Sequence, residues 1–306
     1  MNLTYLELRC PISGALLRFV THLMLTLALV CGTAHLAGAQ TNRAGEFVAV
    51  GATTIQPIIA HALETFMPGT QLEPRLEGGG SSAAVPAVRS GRADIGMISR
   101  SLLPNESEEL ASVTIGYDAL AIIVNSMNPL DSLSVEEVRN IYTGRRRSWS
   151  GMPSWATEIV VVSKQIGRGT LDVFEEYSGL VSPFHSDISG EGRELIFAEA
   201  WEAGGNLDSI LWVGGVPAAI GYVSLGEADR FIELGHPIKK VMLDGVAAEL
   251  PRVADRGYPI RRELNLVYRR DNIQAVAFAQ YMLGKEGQDS VRELGFAPRS
   301  FGELSE

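Results

Sequence analysis

Glu46-Phe47-Val48-Ala49-Val50-Gly51-Ala52-Thr53-Thr54-Ile55-Gln56-Pro57 is the stretch from which the rest of the chain can be read. Glu46–Gly51 is apolar enough for a short buried strand. Thr53 and Thr54 follow, and Pro57 suits the first turn of a helix running to about Phe66. The same rhythm returns at once. Gln71–Leu76 reads as a strand, Gly78-Gly79-Gly80-Ser81-Ser82 as a loop, and the next residues as a helix to about Ser90. Asp94–Ile98 is a third strand, ending in Ser99-Arg100. Strand, loop, helix, strand is the pattern of a parallel α/β sheet, whose ligands bind beyond the carboxyl ends of the strands.

A second series begins further on. Ala119–Val124 is an apolar strand, and Ser134-Val135-Glu136-Glu137 is a capping box opening a helix to about Tyr142. The strand Glu158–Val162 delivers Ser163-Lys164 and the loop Gly167-Arg168-Gly169-Thr170 to a helix from Leu171. Ala218–Val223 and Leu264–Tyr268 supply later strands, and Asn272–Leu283 a closing helix. A helix N-terminus carries unpaired N–H groups and the positive end of the helix dipole, so it attracts anions. Four loops of this kind in one chain suggest capture of a small oxyanion.

The amino terminus reads as an export signal. Leu16–Leu29 is mostly apolar and too short for a typical membrane span, and Ala37-Gly38-Ala39 offers a cleavage site before Gln40. An uncleaved anchor is the alternative. Lipoprotein anchoring through Cys31 is disfavoured, because Ala28-Leu29-Val30 lacks a small residue next to the cysteine. Cleavage removes both cysteines, Cys10 and Cys31, and with them any disulfide or cysteine metal site. About 267 of the 306 residues remain, enough for two domains with their own cores. The leader takes Arg9, Arg18 and Glu7 with it, so 24 basic and 35 acidic residues leave a net charge of −11. Such a surface disfavours nucleic acid and anionic membrane, and Arg145-Arg146-Arg147 is too short a basic run to reverse that.

Each candidate residue has a plainer reading beside the functional one. Thr53, Thr54, Ser81 and Thr170 could be ordinary helix caps, and Arg168 a solvated side chain. Arg100, at the end of a buried strand, must meet either a carboxylate or a bound anion. Lys164 near Arg168 favours an anion clamp. Enzymatic patterns are missing. His61, His185 and His236 lie at no metal-ligand spacing and beside no Ser/Asp pattern. The loops match neither a dinucleotide fingerprint nor a P-loop, and Gly-x-Ser-x-Gly does not occur. No catalytic residue, metal or cofactor is expected.

With these residues laid out, the chain resembles the periplasmic phosphate-binding proteins of ABC transporters, the PstS-like group of the type II solute-binding fold. The likeness rests on Gly51–Pro57, Gly78–Ser82, Asp94–Leu102, Ala119–Pro129, Val135–Trp149, Pro217–Gly226 and Gly257-Tyr258-Pro259-Ile260, in that order. The resemblance implies two α/β lobes, each a mixed sheet flanked by helices, joined by two crossing strands. Residues 1–39 would be the signal peptide, 44–121 plus 259–306 the first lobe and 122–258 the second. It assigns phosphate contacts to Thr53, Thr54, Ser81, Ser99 and Arg100 from the first lobe, and to Gly169 and Thr170 from the second. Lys164 stands for the family's upstream basic residue. Arg168 replaces the serine of the family's usual Gly-Ser-Gly-Thr, which leaves another oxyanion or a phosphorylated small molecule open as ligand. The implied role is a monomeric periplasmic protein that carries inorganic phosphate to a membrane ABC permease. A sensory or adhesive role is the alternative. A proton acceptor for hydrogen phosphate would be Asp94 or Asp118, with a strand-end cap the plainer role for Asp94.

Overall fold

Alternation along the first strand, β1 (Glu46–Gly51), sets the layers. Phe47 and Ala49 enter one hydrophobic core with Ile55, Ile58 and Phe278, while Val48 and Val50 enter another with Ala84, Val88 and Val267. Successive side chains of a strand point to opposite faces, so a strand covered on both faces is apolar throughout. The computed structural model describes residues 45–68, 70–108, 110–186 and 193–299. The leader expected over residues 1–39 lies outside them.

After β1 come α1 (Gln56–Phe66), β2 (Glu73–Gly78), α2 (Ser81–Arg89) and β3 (Ile95–Ile98). Both β2 and β3 pair in parallel with β1, as the strand–loop–helix rhythm requires. β2 starts two residues later than expected, because its pairing extends to Gly51 opposite Gly78 and so carries it into the glycine loop. β4 (Ala111–Asn125) is 15 residues long, far longer than the apolar segment Ala119–Val124. It is followed by α3 (Val135–Tyr142), β5 (Val160–Lys164), α4 (Gly169–Ser178), β6 (Trp201–Ala203), α5 (Asn206–Gly215), β7 (Ala219–Ser224), α6 (Leu225–Glu233), β8 (Ile238–Leu243), β9 (Arg261–Tyr268) and α7 (Ile273–Leu283). At α3 the capping box forms as read. Ser134 Oγ accepts from the Glu137 amide, and Glu137 accepts from the Ser134 amide at 2.9 Å.

The strands run in the order β2-β1-β3-β9-β4-β7-β5-β6, with β8 also paired to β4. β4 is the hinge of this arrangement. Its first part, Ala111–Ala119, pairs antiparallel with β9, and Leu120–Val124 pairs antiparallel with β7. One strand therefore leaves the first lobe and enters the second. The chain returns through Ile260, whose carbonyl accepts from the Leu120 amide at 3.0 Å, into β9. The second lobe has its own core, with Phe174 stacked on Tyr222 at 4.1 Å and both against Tyr142. The fold is the two-lobed mixed α/β architecture that the sequence suggests.

Candidate functional site

Four helices begin at one place, and in none of them does a side chain cap the N-terminus. The N-cap residues are Ile55 for α1, Gly80 for α2, Arg168 for α4 and Gly205 for α5. Thr53, Thr54, Ser81 and Thr170 are thus not the caps their positions allowed. The hydroxyls of Thr54 and Thr170 accept from Arg262 and that of Ser81 from the Ser99 amide, so no side chain takes up the N-terminal amides of these helices. These termini meet around a cavity of about 10 Å³, lined by Thr53, Thr54, Ser99, Lys164, Arg168, Gly169, Thr170 and Asn206. That volume suits roughly one water, so the two lobes are drawn tightly together here.

Glycine allows the close approach. Gly80 has φ of 82°, and a Cβ there would collide with the Gly167 carbonyl of the second lobe. The Gly167 carbonyl oxygen accepts from the Ser82 amide at 3.3 Å and from Ser82 Oγ at 3.1 Å, which latches loop to loop. Ser81 Oγ accepts from the Ser99 amide at 3.1 Å. A Cβ on Gly169 would run into Ser81 Oγ and lie 2.9 Å from Ser99 Oγ.

The central cation is Arg262, a residue the sequence reading passed over. It stands opposite Asp118 in the β9–β4 ladder, and both side chains are essentially buried. Its Nε and Nη2 donate to Asp118 Oδ2 at 2.9 and 2.6 Å. Nη1 donates to Thr170 Oγ1 at 2.9 Å and Nη2 to Thr54 Oγ1 at 3.3 Å. A guanidinium presents five N–H groups in a fixed fork, so one side chain can hold a carboxylate and still organise hydroxyls from both lobes. Asn206, also not foreseen, reaches across in the same way and donates from Nδ2 to Thr54 Oγ1 at 3.2 Å.

Lys164 is buried at the end of β5, donating to the Gly205 carbonyl at 2.8 Å and to Ser209 Oγ. Burial disfavours its ammonium and lowers its pKa to about 7. The Glu227 carboxylate works against that shift, and the Arg262 and Arg168 guanidiniums add to it. Arg168 is half-buried beside Gly80 and forms no ion pair among the described residues. Burial also pushes the Glu227 carboxyl up, despite the hydrogen bond it accepts from Asn206.

Arg100 departs from its expected place. Its guanidinium turns away from the cavity and pairs with Glu106, Nη1 and Nη2 donating at 2.7 and 2.8 Å, while Nε donates to Asp172 at 2.9 Å. Of the two fates open to a buried arginine, carboxylates rather than an anion hold this one. Burial opposes both charged forms, but the paired hydrogen bonds outweigh it and hold Glu106 below the usual carboxylate range. Arg100 thereby ties β3 to α4 across the lobes. Asp94 sits at the start of β3, accepting from the Val48 amide of β1 and from Asn272 Nδ2, each at 2.8 Å.

Comparison with known proteins places the fold in a family. A family model described as a PBP superfamily domain matches residues 37–286. The phosphate-binding protein PstS 2 of Streptococcus pneumoniae is 30% identical over 106 residues, 34% of this chain and 36% of that protein. The match to the first relatives thus spans little more than a third of their length. PstS of Bacillus subtilis is 22% identical over 287 residues, 89% of each chain. Among solved structures, a putative phosphate ABC transporter substrate-binding protein from Clostridium perfringens, with bound phosphate, superposes with a TM-score of 0.72 at 28% identity, covering 84% of this chain and 100% of that one. An ABC-type phosphate transport receptor from Vibrio cholerae shares the fold, with a TM-score of 0.65 at 23% identity, over 83% of this chain and 100% of that one. The chain belongs to the PBP superfamily and has the type II binding-protein fold of the PstS-like proteins it resembles.

Proposed function

We propose that this protein captures inorganic phosphate between its lobes, does no chemistry on it, and delivers it to a membrane ABC permease from outside the cytoplasm. The lobes that close are 44–121 with 259–306, and 122–258. The observation that carries this reading is the convergence of four uncapped helix termini, the hydroxyls of Thr54, Ser99 and Thr170, and the Lys164 and Arg168 side chains on one small cavity, with Arg262 holding Thr54 and Thr170 from behind. The contacts assigned to the ion are Thr53, Thr54, Ser81, Ser99, Lys164, Arg168, Gly169 and Thr170; Arg100 is dropped, and Arg262 stands behind Thr54 and Thr170. Hydrogen bonds to a charged group contribute about 1.5–3 kcal/mol each. Micromolar affinity needs about 8 kcal/mol after the costs of association, so a few such donors suffice. Among the described residues no helix is long and apolar enough to cross a membrane. The protein is proposed to act as a monomer without nucleic acid.

Calorimetry with phosphate, arsenate, sulfate and molybdate tests the reading. Phosphate and arsenate are expected to bind at micromolar concentrations or below, and sulfate far more weakly. Absence of heat with phosphate, or an equal response to all four, contradicts it.

Lys164 makes the binding proton-linked. Its pKa is near 7 when folded and 10.5 in the open chain, so between those values the unfolded state holds the extra proton and stability rises with pH. Below about pH 7 both states are protonated and the cost of burying the charge is complete. An anion beside Nζ favours the ammonium, so at about pH 8 binding is expected to take up part of a proton. Calorimetry in buffers of different ionisation enthalpy measures the uptake, and Lys164→Met should remove it. Unchanged uptake in the variant would show that another group titrates.

A further inference from the structure

We infer that the second lobe carries another binding site, at the end remote from the anion cavity, which holds a neutral saccharide of one or two rings against exposed tryptophan faces.

A cavity of about 470 Å³ opens there, within the ~300–1,000 Å³ usual for small-molecule sites. Trp155, Phe197 and Trp201 line it. The chain has four tryptophans, and all of them belong to this place. Trp149 lies under the Arg146 guanidinium, 5.4 Å from its ring centroid, and donates from Nε1 to the Ala218 carbonyl of the wall at 2.8 Å. Trp212 meets Trp201 edge-on at 5.7 Å. Trp155 is 69% exposed and Trp201 43%. Two indoles left open to water at one concave surface mark it as a place where something stacks.

The position separates this site from the anion cavity. Val160 and Lys164 are the two ends of β5, Val160 lining this cavity and Lys164 the other. About 13 Å of strand lies between them. α5 bridges the same gap, with Asn206 beside the anion cavity and Gly215 here. Its positive end therefore serves the first site and its negative end the second.

The charges select a neutral ligand. Arg146 and Arg147 line the cavity and repel a cation, while Glu158, Glu199 and the end of α5 repel an anion. Yet both donors and acceptors are on offer. The Arg147 guanidinium lies 4.3 Å from the Phe197 centroid and donates from Nε to the Gly144 carbonyl at 3.3 Å, so Nη1 and Nη2 have no partner among the described residues. Glu158 and Glu199 pair with no cation among them either. A sugar ring matches this set. Its C–H faces stack on indole, and the hydroxyls round its edge donate to carboxylates and accept from a guanidinium fork.

Intrinsic fluorescence reads this site alone, because no tryptophan lines the anion cavity. The protein is titrated with glucose, maltose, cellobiose and N,N′-diacetylchitobiose, followed by fluorescence and by calorimetry. Tetramethylammonium and benzoate serve as charged probes. At least one of the four sugars is expected to shift the emission with a Kd of about 1 mM or tighter. Trp201→Ala should weaken that sugar about 10-fold or more, and Trp155→Ala should weaken it too, with phosphate binding unchanged in both. No response to any of the four sugars overturns the inference. So does tighter binding of either charged probe, or a sugar affinity that survives both tryptophan substitutions.

Discussion

Arg262→Met is expected to abolish phosphate capture and to lower folding stability by about 3–5 kcal/mol. Both effects follow from one geometry. Arg262 is the partner of Asp118 in a fully buried ion pair. Removing the guanidinium leaves an uncompensated carboxylate inside the protein, which is among the costliest single changes available. The same guanidinium orients Thr54 and Thr170, one from each lobe. Urea unfolding reads the first effect and phosphate calorimetry the second. The double variant Arg262→Met/Asp118→Leu separates them, since replacing a whole buried pair by apolar side chains is often neutral for stability. It is expected to recover most of the lost stability and none of the binding. Recovery of binding in the double variant would show that Arg262 matters only as the counter-ion of Asp118.

Gly169→Ala is expected to weaken phosphate binding by roughly 10- to 100-fold while leaving each lobe as stable as before. Gly169 is the first residue of α4, and its backbone does not occupy the left-handed region, so alanine brings no strain and improves helix propensity. The added methyl meets nothing harmful until the lobes close. It then collides with Ser81 Oγ and crowds Ser99 Oγ at 2.9 Å, both from the opposite lobe. Overpacking of this kind costs about 1–3 kcal/mol, charged here to the closed state alone. Denaturation and calorimetry together decide the matter. A loss of stability without a loss of affinity would mean that Gly169 serves the fold and not closure.

Much of this was legible in the chain itself, for local reasons. β1 and β3 are short apolar runs, β1 ending in Gly51 and β3 followed by Ser99, β2 runs into the glycine loop, and the order of loops and helices needs no long-range information. The capping box at Ser134 is likewise a four-residue pattern. What escaped the reading is nonlocal. Arg262 and Asp118 are 144 positions apart and meet only through the β9–β4 register, while Arg262 itself sits just upstream of its apolar run. Its signal was available, because a charged residue at the start of a buried strand raises the same question that Ser99-Arg100 did. The Gly204-Gly205-Asn206 loop follows a strand of only three residues, Trp201–Ala203, too short for any periodicity. Arg100 was framed correctly as needing a carboxylate or an anion. Its carboxylate comes from Glu106, folded back by its hydrogen bond to the Leu103 amide at 2.8 Å, and from Asp172 in the other lobe. β4 extends far beyond its apolar half because Ser112 and Thr114 interrupt the run while still pairing with β9.

A crystal structure of the protein grown with phosphate tests the central claim most directly. The account predicts the ion in the cavity between the lobes, within about 3 Å of hydroxyls or amides at Thr54 and Ser99 on one side and Gly169 and Thr170 on the other, with Arg262 behind them. Phosphate bound by one lobe alone, or lodged elsewhere while these groups contact only each other, would contradict it.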